Sequence, residues 1–439
     1  MRVVEASKLT SEEYARIVSR GALDLSKALK EVEKVVVEVK EKGDEALKRF
    51  SKEFDGVEVD LERWSFKVDE EEVKEAYREV GEEALEAIRR AVKNVKKYHE
   101  ARRPTSFSVK VEEGVIAGSL IKPLSRVGVY VPRGRSGYPS TAIMTVVPAK
   151  VAGVKEVLVC TPPLRNGKAP TLTLVAAIEA GASQVFKVGG AHAIAAMAYG
   201  TETIPKVDKI VGPGGLYVTA AKLLVNKEVA IDLPAGPSEV LVIADDSADP
   251  AYIALDLLAQ AEHDPASTSI LVTTSKELAI KVVEEIDRRR EAYPKGSAER
   301  ERLDKSLEER GWIIVVESLD EAVKIVNDFA PEHVEFIVKD PLSLLGAVRN
   351  AGSMFMGEYS PIAIGDYAAG PSHVLPTGGY AKVYSGLSTR DFVKEVGFIN
   401  CNEEGMKRIG WIAAKLAELE GFKLHALSVE ERLRRLKPS

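Results

Sequence analysis

Only two cysteines, Cys160 and Cys401, occur in 439 residues, and neither sits in a CxxC pair or at metal-ligand spacing from a histidine. A disulfide framework is therefore not what stabilises the chain, and a reducing, cytoplasmic location is expected. Both thiols read as buried structural residues. Glutamine is as scarce: Gln184 and Gln260 stand alone among abundant Glu and Lys, a bias resembling a thermophile's avoidance of labile amides. Basic excess is missing too. With 61 Lys and Arg against 67 Asp and Glu, the net charge of −6 leaves nothing to neutralise phosphates, so a nucleic-acid binder is excluded. No apolar run reaches the ~18 residues needed to span a membrane, and the opening MRVVEASKLTSEEY lacks the apolar core of a signal peptide. Nucleotide motifs are absent as well, since no GxGxxG follows a strand and no GxxxxGK[ST] exists. The glycine-rich candidates are Gly128-Val129-Tyr130-Val131-Pro132 and Val211-Gly212-Pro213-Gly214-Gly215.

What is present is an alternation of periodicities. Residues 1–101 read as helical, with apolar positions at helical spacing in Leu23–Val39 and Ala84–Val95. FSVKVEEGVIAGSLIK (107–122) alternates around a Glu-Gly turn and predicts a hairpin. From Val127 onward, VGVYVP, VLVC, VFKVG and KIVGPG read as short buried strands separated by helices at Ala142–Val151, Leu172–Ala180, Ala191–Ala198 and Tyr217–Val225. A second series, EVLVIA, SILVTT, IIVVE, VEFIV and SMFMG, alternates with helices near 250–263, 276–291, 319–329 and 341–350. Two such series predict parallel βαβ units in two similar, Rossmann-like, doubly wound α/β halves. After about Thr377 come a Gly-rich stretch, a helix near 389–395, a strand VGFINC and helices near 403–419 and 428–436. A tail of roughly 60 residues with few large apolar groups is marginal alone, so it is expected to pack on something else, for instance a second subunit.

Four constellations carry chemistry. In Ala259-Gln260-Ala261-Glu262-His263-Asp264-Pro265, Asp249-Pro250 starts a helix and Asp264-Pro265 stops it, so Gln260 and His263 share a face of its last turn. They read either as two metal ligands or as a solvent-facing helix end, because two ligands do not make a zinc site. Pro331-Glu332-His333 joins a helix to a buried strand; imidazole suits proton transfer near neutrality and a carboxylate can activate water, but a polar loop reads equally well. Gly365-Asp366-Tyr367 and Gly370-Pro371-Ser372-His373 read as a ligand-facing turn or simply as a turn. Glu420 and His425 flank a break between two helices.

Taken together, GVYVPRGRSGYPST, VGGAHAIAAMAYGTETIPKVDKIVGPG, AGPSEVLVIAD, LLAQAEHDP, APEHVE, GDYAAGPSHVLPTGG, SGLSTRDF and EGFKLHALSV resemble histidinol dehydrogenase, in family order from about residue 125 to the C-terminus. The resemblance implies an oxidoreductase that takes L-histidinol to L-histidine through the aldehyde, transferring hydride twice to NAD, the last step of histidine biosynthesis. It implies one Zn2+ per subunit on Gln260, His263, Asp366 and His425, with the small-molecule substrate completing the coordination. It implies a proton-transfer pair, Glu332 and His333, and further substrate contacts at Ser238, His373 and Glu420. It also implies a homodimer whose C-terminal tail reaches the neighbour's site.

Of the family's NAD contacts, Tyr130 matches, whereas His192 stands where the family has Gln and Gly215 where it has Asn; Ser372 likewise replaces an Asn. The alternative reading is a related zinc/NAD alcohol dehydrogenase acting on another amino alcohol or diol; a non-catalytic paralogue would have no need of Glu332 and His333. The expected organisation is an N-terminal helical arm (1–25), an α/β domain with zinc and catalytic residues (26–126 plus 238–378), an NAD-binding α/β domain (127–237) and a C-terminal helical tail (379–439).

Overall fold

The computed structural model describes residues 1–20, 25–58, 60, 62–134, 137–233 and 236–436. The strands, in chain order, are β1 (Arg2–Glu5), β2 (Phe107–Glu112), β3 (Val115–Pro123), β4 (Arg126–Tyr130), β5 (Glu156–Thr161), β6 (Gln184–Lys187), β7 (Lys209–Val211), β8 (Ala230–Ile231), β9 (Glu239–Ala244), β10 (Thr268–Thr273), β11 (Gly311–Val315), β12 (His333–Ile337), β13 (Ser353–Met356) and β14 (Val393–Cys401). They form two all-parallel sheets, ordered β1-β11-β10-β9-β12-β13 and β6-β5-β4-β7-β8, and one antiparallel sheet, β14-β3-β2. The chain divides into two compact units, Met1–Arg102 with Ser125–Phe392, and Arg103–Leu124 with Val393–Ser439. The architecture is mixed α/β with parallel sheets, as the alternation of strand and helix periods predicts.

In the six-stranded sheet, successive side chains alternate between two cores. Val240, Val242, Leu271, Ile313 and Ile337 face the helices Pro250–Ala261 and Lys276–Arg289. Leu241, Ile243, Ile270, Val272, Val334 and Phe336 face the helix Leu319–Phe329. Burial on both sides explains why these strands read as continuous apolar runs. Each fully buried Leu, Ile or Phe stabilises by roughly 1.5–3 kcal/mol relative to exposure, so the two cores fix the register firmly. On the five-stranded sheet, Tyr130, Leu158, Cys160 and Phe186 pack with the helix Gly190–Tyr199 and with Val32, Val36 and Val39 of the N-terminal helix Ser26–Lys42. The predicted start of that helix at Leu23 lies outside the described residues. In the second unit, the predicted hairpin 107–122 forms as β2 and β3, turned at Gly114 (φ +78°), and β14 zips along β3 over its whole length.

Several expectations are corrected. Residues 2–5 form a strand, not part of a helical arm, because a short apolar pair at the chain start can pair with β11. The helix expected near 341–350 is only the 3-10 turn Pro341–Leu344. There the Asn327 amide takes over the backbone, accepting from Arg349 and Asn350 N–H and donating to the Ala347 carbonyl. The helix expected near 389–395 is one 3-10 turn, Thr389–Phe392, after which β-branched residues join β14. The helix Ala298–Arg310 is unexpected, since only Leu303 and Leu307 of its buried face are apolar, beside Arg300 and Ser306. Cys160 is buried as expected, but Cys401 is exposed.

Candidate active site

Topology brings the predicted residues to the amino edge of the six-stranded sheet. β9 runs toward the far edge, and the helix after it, Pro250–Ala261, returns antiparallel. Asp249 caps that helix by accepting from the Ala251 N–H, and Pro250 sits in its first turn. Its last turn, bearing Gln260 and then His263, therefore emerges where β12 begins with His333. His333, Glu335 and Ile337 share the face on which this helix packs, and Gln260 is buried there with its Nε2 lacking a partner. After β13 the chain comes back again, and a π-type turn, Gly365–Ala369, sets the Asp366 carboxylate 3.4 Å from His333 Nε2. Gly365 is required at this turn, as a Cβ would lie 2.5 Å from the Phe355 ring.

The acid–base pair is held by one backbone residue. The N–H of Glu239 donates to Glu332 Oε2 at 2.8 Å, and its carbonyl accepts from His333 Nδ1 at 3.1 Å. A carbonyl only accepts, so Nδ1 carries the proton and Nε2 is left facing Asp366. The two side chains are 3.5 Å apart, Nδ1 to Oε2, and both are buried. Burial pushes the Glu332 carboxyl up to about 8, against the pull of His333 and the Glu239 N–H. Burial also opposes charge on His333, but Glu332 and Asp366 outweigh it and raise the imidazole to about 9. The pair titrates as one coupled system. Asp366 is held below its usual range: burial works against this, but its contact with His333 and the charges of His373 and His263 prevail. Burial depresses His263, with Asp366 opposing. Such opposed shifts in one place mark functional sites.

The remaining predicted residues fall as follows. His373 donates from Nδ1 to the Asp366 carbonyl at 3.1 Å, and its Nε2 lies 3.2 Å from the Thr141 hydroxyl, which ties the loop to the helix Pro139–Ala152. Ser372 bonds the Met144 carbonyl on the same helix at 3.2 Å. Ser238 is half-buried just before β9, and its carbonyl accepts from Thr268 N–H. Glu420 and His425 belong to the second compact unit, exposed at the break between the helices Glu403–Leu419 and Lys423–Leu436.

For the cofactor residues, the Tyr130 hydroxyl accepts from Gly190 N–H at 3.1 Å, and His192 is fully buried, with Nε2 3.1 Å from Asp55 Oδ2. Gly215 precedes the helix Leu216–Val225, and a Cβ there would meet nothing within 4 Å. Among the described residues, no group of three His, Cys, Asp or Glu is arranged to hold a metal by itself. The expected donors in this unit include an amide, Gln260, whose buried Nε2 has no hydrogen-bond partner. An imidazole and a carboxylate are ordinary zinc ligands, and a Gln oxygen is an unusual addition to them.

Sequence reading missed Glu239 and Glu335. Glu335 is buried two residues beyond His333, accepts from Ile362 N–H, and is pushed up by burial and by Asp256. The signal for both was a charged residue inside an apolar strand, EVLVIA or VEFIV.

Comparison with known proteins identifies the family. The histidinol dehydrogenase family model matches residues 18–433. Histidinol dehydrogenase of Methanothermobacter thermautotrophicus is 47% identical over 97% of this chain and 99% of its own. That of Methanocaldococcus jannaschii is 44% identical over 99% of each. The crystal structure of histidinol dehydrogenase from Elizabethkingia anophelis superimposes with a TM-score of 0.92 at 35% identity, covering 99% of this chain and 98% of that one. The chain belongs to the histidinol dehydrogenase family.

Proposed function

We propose that this chain is a zinc-dependent, NAD-linked enzyme that oxidises L-histidinol to L-histidine through the aldehyde, working in the cytoplasm as a homodimer. The observation that carries the reading is the buried Glu332–His333 pair opening on Asp366, beside the helix end that bears Gln260 and His263.

The residues that would hold zinc are Gln260, His263 and Asp366, with the partner subunit's His425. NAD would lie at the glycine turn ending at Gly215, with Tyr130 and His192 bracing the start of the helix Gly190–Tyr199. When bound, zinc supplies a Lewis acid that orients the amino alcohol, and NAD supplies the acceptor for one hydride per step.

In its neutral form His333 takes the hydroxyl proton at Nε2, because its Nδ1–H is committed to the Glu239 carbonyl. Glu332 takes a proton from the water that adds to the aldehyde, giving the hydrate from which the second hydride leaves. Burial of the pair limits bulk water at the reacting carbon and retains the reactive aldehyde. His373, Ser238 and the partner subunit's Glu420 contact the substrate.

The second compact unit supports the exchange of tails. It exposes Ile399 at 78%, Leu419 at 73% and Leu424 at 80%, together with Trp411 and Phe422. Several large apolar side chains exposed within one small unit suit a protein contact. Free cysteines in both regions of the chain fit a reducing compartment. The test is NADH formation by zinc-loaded protein: two NADH per histidinol are expected, and no NADH with histidinol would refute the reading.

A further inference from the structure

Arg20 is the one guanidinium buried against the segments that carry the acid–base pair, among the described residues. It arrives from the N-terminal helix Ser11–Ser19 as that helix's C-cap, in a left-handed conformation (φ +57°). Its Nε lies 2.6 Å from Glu239 Oε1, and its Nη2 donates to Glu239 Oε2 at 3.0 Å. The same Nη2 donates to the carbonyls of Phe329 at 2.5 Å and Ala330 at 3.1 Å. The plane stacks over the Phe329 ring, 3.5 Å from its centroid. Ala330 is also left-handed (φ +52°), and these two are the non-glycine residues with positive φ among the described residues.

The contacts join both strands of the pair's support. Glu239 holds Glu332 by its N–H and His333 by its carbonyl, while its side chain projects to the opposite face of the sheet. Phe329 and Ala330 form the turn that leads through Pro331 into Glu332 and His333. Glu239 Oε1 also accepts from Gly378 N–H, tying in the 377–379 loop. Strained backbone persists only where its surroundings over-determine it, and strain of this kind gathers at functional sites. A planar, five-donor guanidinium can bind a carboxylate and two carbonyls at once, whereas an ammonium cannot hold that fork.

We propose that Arg20, acting through Glu239 and the Phe329–Ala330 carbonyls, is a positioning residue that sets the distance and orientation of Glu332 and His333. It touches neither substrate nor cofactor. The proposal deepens the dehydrogenase reading and rests on it for its kinetic consequence.

The test uses the full-length, zinc-loaded protein with Arg20→Ala, Arg20→Lys and Glu239→Gln. Arg20→Ala is expected to lower kcat for histidinol by on the order of 100-fold, as a misplacement of about 1 Å does, with KM and zinc content near wild type. Added guanidinium should recover part of that rate, since a cavity of about 310 Å³ lined by Arg20, Arg16, Arg310 and Trp312 gives access from solvent. Arg20→Lys should keep the fold but remain slow and unrescued. The independent readout is the His333 Nδ1–H proton resonance, expected in wild type and lost or shifted in Arg20→Ala and Glu239→Gln. A folded Arg20→Lys with wild-type kcat and an unmoved resonance overturns the proposal. If Arg20→Ala does not fold, Arg20→Lys and Glu239→Gln decide by the same two readouts. Should wild-type protein fail to oxidise histidinol, the dehydrogenase reading falls, while the resonance still decides whether Arg20 positions His333.

Discussion

The two parallel sheets bury charge in opposite ways. In the five-stranded half each buried ionisable group has one counterpart: Lys187 with Glu72 at 2.8 Å, His192 with Asp55 at 3.1 Å, and Lys222 with Asp232. The amino edge of the six-stranded sheet instead gathers Glu332, Asp366 and, one step away, Glu335 and Asp256 around His333, with His263 and His373 also facing Asp366. One-to-one pairing of this kind fixes structure. Burial there raises the carboxyls of Glu332 and Glu335, while Glu332 and Asp366 raise His333, so several neighbouring groups depart from their ordinary protonation together. Buried charge alone does not distinguish the two sheets; its balance does.

The comparison can be broken most sharply at the metal donor proposed to come from the partner subunit. His425→Ala should abolish zinc binding and activity, as measured by metal analysis. Mixing it with Gln260→Ala should restore about a quarter of wild-type activity, because half of the randomly formed dimers carry one intact site; no recovery would show that each chain supplies its own tail. Next, His333→Asn should slow alcohol oxidation by roughly 10²–10⁴-fold, the usual contribution of a positioned base, with substrate still binding. A loss under tenfold would move the base elsewhere. In the five-stranded half, Asp55→Ala should cost about 1–3 kcal/mol of stability by leaving buried His192 unpaired, read by denaturant unfolding, while zinc content stays unchanged.

The smallest effect is in pH. Both members of the pair have folded values above their ordinary ones, His333 at about 9 and Glu332 at about 8. Protons bound more tightly in the folded state stabilise it, so this contribution is full below the ordinary values of 4.5 and 6.5 and is lost progressively as pH rises from there to about 8 for Glu332 and about 9 for His333. In chelator-treated protein the unfolding midpoint should fall across that range, and His333→Asn should flatten the slope.

Most of the fold was legible because strands buried on both faces announce themselves as short apolar runs, and EVLVIA, SILVTT and VEFIV all formed where their composition placed them. What failed depended on partners distant in sequence. The turn at 341–344 is shaped by Asn327, and β14 exists because β3 is there to pair with it. The Gln260 and His263 helix end and the Glu332–His333 junction were visible as motifs. Their meeting was not, since it follows from the helix after β9 returning to the edge where β12 starts. Glu239 showed only as a charge in the apolar run EVLVIA and Arg20 not at all: one works through its backbone, the other through carbonyls 309 and 310 residues away. His192 could be read only by position, and nothing near it in sequence announced Asp55, 137 residues earlier.

The division of labour within the acid–base pair is the claim on which the rest stands, and the two half-reactions separate it. Rates of histidinol and histidinal oxidation should be measured on zinc-loaded Glu332→Gln and His333→Asn protein. The geometry predicts that Glu332→Gln impairs aldehyde oxidation far more than alcohol oxidation, with His333→Asn impairing the alcohol step strongly. Equal losses in both steps for both variants would contradict it.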